Sequence, residues 1–151
     1  RMPALIRVAF CTGLRAGNLR DLRWDQVDLE AGLVKIGRTK NGAPIVSVLS
    51  SDAKAELAAL PNQKAGERVF ANRAGQPYTW RKLWCRVTEH AGFTGYNFHL
   101  LRHSCGSTLA SEGVGQAAIM EAMGHKTLHA SRRYLHLNVA ARKEIVHRVF
   151  G

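Results

Sequence analysis

The chain has 151 residues, 46% of them hydrophobic, with 22 Lys plus Arg against 11 Asp plus Glu and a formal charge of +11. That length suits one domain burying roughly two-thirds of its unfolded surface, and the apolar content excludes wholesale disorder. No apolar run approaches the roughly 20 residues that cross a bilayer, and no signal-peptide pattern opens the chain.

The N-terminal stretch "RMPALIRVAFCTG" reads as an apolar helix ended by Gly13. It begins abruptly, as a fragment would. Leu14, Leu19 and Leu22 follow at near-helical spacing with arginines between them. Two β-branched runs then flank Lys40-Asn41-Gly42, and Asn-Gly in that setting predicts a hairpin. "SSDAKAELAAL" predicts a short Ser-capped helix stopped by Pro61. Thr79 is the expected cap of "TWRKLWCRVTEHAG", with Trp80, Leu83, Trp84 and Val87 on one face. From residue 98 the pattern is helical, broken at Gly113 and Gly124 and closed by "AARKEIVHRVF". The expectation is a mostly α chain with one small β-sheet (α+β) and a single domain over residues 1–151.

An isoelectric point near 10.3 attracts polyanions, nucleic acid ahead of an anionic membrane surface. Bases scattered from Arg1 to Arg148 favour a folded basic face over a disordered arm. Cys11, Cys85 and Cys105 form no C-x-x-C pair. That argues against a disulfide framework or cysteine-based zinc site and fits a reducing cytoplasm. All three are expected to fill core space, as are Trp24, Trp80 and Trp84.

Several residues invite chemistry. His99 and His103 are four apart, so a helix puts them on one face. Zinc proteases use that spacing, but Leu100 stands where their activating carboxylate would be, and no third ligand is evident. The plain alternative is a pair of satisfied core histidines. Arg102 lies among Leu100 and Leu101; a buried guanidinium needs a partner, and a phosphate matches its geometry. Arg15, just past Gly13, offers a second guanidinium. Taken alone, each arginine reads as a surface residue and Lys40 as a solvated turn lysine. Tyr78 and Tyr96 read as packing residues, and His129 and His136 match no motif. Arg132 and Arg133 face DNA backbone or solvent.

The ordered set Arg15, Lys40, His99-x-x-Arg102, Gly124-His125 and Tyr134 resembles the catalytic signature of the tyrosine recombinases (phage integrase family). "TGLRAGNLRDLRWDQVD" resembles the segment carrying that family's first arginine, and "RTKNGAPIVSVL" its β-hairpin lysine segment. "FHLLRHSCGSTLASEGV" is similar to its H-x-x-R-H helix, and "EAMGHKTLHASRRYLHL" to its Gly-His segment and nucleophilic tyrosine. The resemblance spans essentially the whole chain. It implies the family's catalytic-domain fold, with a small antiparallel sheet, and transesterification on double-stranded DNA. Tyr134 would be the nucleophile, Arg15 and Arg102 the phosphate clamp, and His99 the proton acceptor or positioner. His125 would bond a phosphate oxygen, Lys40 would protonate the leaving 5′ oxygen, and His103 would support the site. No cofactor or metal is implied, because the arginines neutralise the charge and the phosphotyrosyl ester stores the bond energy.

Three departures stand out. Asn18 occupies a commonly acidic position, Leu100 replaces a frequent Asp, and the family's separate N-terminal DNA-clamping domain is absent from these residues. Family resemblance also implies a homo-tetramer on DNA and a monomer for the isolated fragment. The location implied is the cytoplasm, in association with DNA, for a chain of bacterial or phage origin. The C-terminal segment would dock on a neighbour or on its own domain. The competing reading is a decayed integrase remnant that only binds DNA; a type IB topoisomerase arranges similar elements differently.

Overall fold

The computed structural model describes residues 1–37, 44–61, 63–112, 114–124 and 139–151. Helix α1 (Met2–Thr12) starts with Pro in its first turn and ends at Gly13 in the left-handed conformation, φ 60°, as the sequence suggests. Ala4, Leu5 and Val8 on this helix are fully buried. It packs between α3 (Ser51–Ala58) and α5 (Leu100–Ser111) and forms the axis of the core.

Between α1 and α3 run α2 (Ala16–Asp21), a short 3-10 turn at Trp24–Gln26 and three strands. These are β1 (Val27–Asp28), β2 (Leu33–Ile36) and β3 (Ile45–Val48), in sheet order β1-β2-β3 with both pairs antiparallel. The hairpin register pairs Ile36 with Ile45 and Leu33 with Val48, so the two β-branched runs do pair as expected. The two-residue β1 was not anticipated, being too short to show alternation. The Lys40-Asn41-Gly42 turn lies outside the described residues.

Ser50 caps α3, its Oγ accepting from Ala53 N at 3.2 Å. Helix α4 (Arg81–His90) begins one residue later than expected. Trp80, not Thr79, is its N-cap, and no side chain caps that end. Trp80 is instead drawn inward, its ring 5.2 Å from that of Phe98. The buried α4 face is also shifted: Thr88 is buried while Val87 is 39% exposed. Trp80, Trp84 and Thr88 follow an i, i+4, i+8 stripe, and the Thr88 hydroxyl bonds the Trp84 carbonyl at 3.0 Å, which permits its burial. All three tryptophans are core residues. Cys11 and Cys105 are buried too, but Cys85 is exposed on α4, because position 85 falls beside that stripe.

Helices α6 (Gln116–Ala122) and α7 (Val139–Phe150) complete the body. Helix α7 docks on its own domain. Val146 packs with Leu33 and Val48, the Phe150 ring meets Phe10 edge-on at 4.9 Å, and Ser51 N donates to Gly151 O at 2.6 Å. Among the described residues no helix is long and apolar enough to cross a membrane.

The Ser50 cap gives a direct test. Ser50→Ala should lower unfolding free energy by about 1 kcal/mol, read from the urea midpoint at unchanged slope.

Candidate active site

Helix α5 carries the buried arginine. Its start is set by the residues before it: Trp84 Nε1 donates to Tyr96 O at 2.7 Å, and the Tyr96 hydroxyl shares a 2.5 Å hydrogen bond with Ser104. Asn97 Oδ1 then accepts from Leu100 N at 3.2 Å, in the turn that leads into the helix. That turn delivers His99 as the N-cap of α5. Tyr78 and Tyr96 both pack against the core.

Arg102 points from α5 back to the end of α1. It is 5% exposed, and one terminal nitrogen, Nη1, donates to the carbonyl of Gly13. The other, Nη2, is buried and has no partner among the described residues. Burial, reinforced by the neighbouring Arg15, pulls the Arg102 pKa down to about 10, so the group stays charged at neutral pH. The left-handed turn at Gly13 leads directly to Arg15, the N-cap of α2. No hydrogen-bond or carboxylate partner for the Arg15 side chain occurs among the described residues, and Asn18 does not bond it.

His99 and His103 are exposed, their rings 5.1 Å apart and nearly perpendicular. They therefore share a face as expected, but they are not core histidines. Burial holds the His99 pKa below its usual 6.5, aided by His103, Arg102 and Arg15. Two guanidiniums and two imidazoles thus converge with no carboxylate among the described groups acting on them. Such a concentration of positive charge, with a buried donor left open, is a place prepared for an anion. Among the described residues no third ligating side chain joins the two histidines to hold a metal.

The structure therefore brings together Arg15, His99, Arg102 and His103. Lys40, His125 and Tyr134 lie outside the described residues, as do His129, Arg132, Arg133 and His136. Gly124 is described, and it abuts β3. The Gly13 carbonyl went unanticipated because a backbone acceptor leaves no mark in side-chain spacing. A separate cavity of about 410 Å³ lies near the other end of α1, by Arg1, Arg23, Arg68 and Arg73, away from this cluster.

The helical body, the three-stranded sheet and their connectivity form the fold of tyrosine recombinase catalytic domains. The integrase of mycobacterium phage Brujita superposes with a TM-score of 0.77 at 19% identity, over 97% of this chain and 50% of that one. The XerH site-specific recombinase bound to its difH substrate gives 0.68 at 24% identity, over 91% and 43%. Residues 1–141 match the phage integrase family, and the chain belongs to it. It is 32% identical over 145 residues to the tyrosine recombinase XerC of Xylella fastidiosa strain M23, covering 91% of this chain and 49% of XerC. Against the type 1 fimbriae regulatory protein FimE of Escherichia coli K12 it is 29% identical over 148 residues, covering 90% and 74%. The chain thus spans about half the length of XerC and of these solved chains.

Because the folded-state pKa of His99 lies below the unfolded value, the ring is neutral above 6.5, and acid adds a charge beside two guanidiniums. Folded-state stability is therefore lost as pH falls through 6.5 and below. In the free protein, NMR should place the His99 titration midpoint under 6.5; bound duplex, bringing phosphates, should raise it.

Proposed function

We propose that this chain is the catalytic domain of a site-specific DNA recombinase that cuts and rejoins strands through a 3′-phosphotyrosyl intermediate. One observation carries the reading: a buried guanidinium with one arm fixed on the Gly13 carbonyl and the other without a partner among the described residues, beside Arg15 and His99. A phosphodiester oxygen is the acceptor that open arm suits, and a second contact from Arg15 would complete the clamp.

The reaction follows from these groups. Negative charge grows on the non-bridging oxygens as a nucleophile approaches, and preorganised guanidiniums stabilise it. Tyr134 Oη bonds to phosphorus while the bond from phosphorus to the 5′ oxygen breaks. The phenol proton passes to His99, which is held neutral and ready to accept it. The 5′ oxygen takes a proton from Lys40, leaving a 5′ hydroxyl. His125 donates to a phosphate oxygen, and His103 supports His99. The ester conserves the energy of the broken bond, so reversal joins strands without ATP.

Recombination joins two duplexes, so the working form is a tetramer on DNA, and the isolated domain is a monomer. The full-length protein would add the N-terminal domain that clamps the duplex. A remnant that only binds DNA is the second reading, disfavoured because all six family positions carry reactive side chains.

On a nicked suicide substrate, Tyr134→Phe should abolish covalent protein–DNA adducts while leaving duplex affinity unchanged. Adducts that persist would remove Tyr134 as nucleophile. Lys40→Ala should lose cleavage on a normal substrate and recover much of it when the leaving 5′ oxygen is sulfur, which departs without a proton. Equal loss on both substrates would reject the general-acid role.

A further inference from the structure

Residues 123 and 124 sit where four parts of the site meet. Met123 is 4% exposed and fills the space left by two glycines. A Cβ at Gly13 would stand 3.1 Å from Met123 Cγ and 3.3 Å from its Cε. A Cβ at Gly106 would stand 3.1 Å from Met123 Sδ. The methionine is thus inserted between the end of α1 and the middle of α5, with Cys105 Sγ beside it, 3.3 Å from the same Gly13 position. The next residue, Gly124, has φ 62° and lies so close to β3 that a Cβ there would be 2.8 Å from Ile45 Cδ1. No side chain fits at that point.

Each contacted element leads to a different member of the site. Gly13 holds Arg102 through its carbonyl and precedes Arg15 by two residues. Gly106 lies one helical turn beyond Arg102 on α5. Ile45 opens the strand that follows Lys40 in the sequence. The chain leaves Gly124 directly into His125, towards Tyr134.

We infer that Met123 and Gly124 form a positioning seat that sets where the His125–Tyr134 segment departs relative to the Arg15–Arg102 clamp. Met123 touches no substrate; it acts through Gly13 and Gly106. The seat rests on the proposed recombinase reading for its consequence but not for its geometry. Methionine suits the task because its unbranched thioether threads between backbones where a branched chain would collide. A shift of about 1 Å in reacting groups costs on the order of a hundredfold in rate, so the seat matters without adding binding energy.

The test is a size exchange. Gly106→Ala should push Met123 aside by a few tenths of an ångström and lower single-turnover cleavage at saturating duplex by roughly threefold to tenfold, with the Kd for DNA unchanged. Adding Met123→Ala, which removes the colliding atoms, should restore a large part of the rate. Leu57→Val in α3, buried but distant from the seat, serves as a stability control and should lose Tm without losing cleavage. A second readout needs no catalysis. In Gly106→Ala the Arg102 Nε–H resonance and the His99 titration midpoint should both move, then return in the double variant. Failure of the wild-type protein to form adducts would reject the recombinase reading, and these resonances would still decide the seat. Unmoved resonances with wild-type cleavage, or a double variant worse than both single ones, would overturn it.

Discussion

A charged guanidinium sealed inside the protein, Arg102, is the constraint around which the rest is arranged. Leaving a buried donor unpartnered costs roughly 1–3 kcal/mol; among the described residues Nη2 has no partner, while Nη1 is satisfied by the Gly13 carbonyl. That carbonyl is free because α1 ends there, in a conformation that suits glycine. The same helix end carries the negative pole of the α1 dipole, which favours cations within its last turn. One backbone event, the stop at Gly13, therefore supplies the acceptor, eases the charge and turns the chain into Arg15.

Packing makes this placement rigid. Helix α1 is buried along its apolar stripe between α3 and α5, so its end cannot drift from Arg102. The rings of Trp80, Trp84, Tyr96 and Phe98 hold the segment that delivers His99. The burden of an open buried donor is thus offset by apolar contacts elsewhere.

Much of this was legible in the sequence. Gly13 ending an apolar helix, the pairing of the two β-branched runs and the Ser50 cap each rest on local chemistry that tertiary contacts did not override. Arg15, His99 and Arg102 were recognisable by order and spacing, and they do converge. The misses share one cause. Thr79 was favoured by intrinsic capping preference, yet the pull of Trp80 into the aromatic cluster moved the helix start. Val87 looked apolar enough to be inside, but the face is set by where Trp80 and Trp84 already point, and Thr88 completes it with a satisfied hydroxyl. Cys85 was assigned to the interior on residue type alone. The Gly13 carbonyl and the Met123 insertion depend on distant segments meeting, which no local pattern encodes.

The exposure of Cys85 has a practical side. Burial pushes the Cys11 thiol up to about 11 and the Cys105 thiol up to about 12, so neither yields a thiolate near neutral pH. Cys85, outward on α4, is the sole remaining sulfhydryl of the three. The native protein thus offers one attachment point for a maleimide dye without mutagenesis, on a helix whose inner face anchors the segment entering α5. A fluorophore there would report approach to an end-labelled duplex by energy transfer, leaving Arg15, His99, Arg102 and His103 untouched.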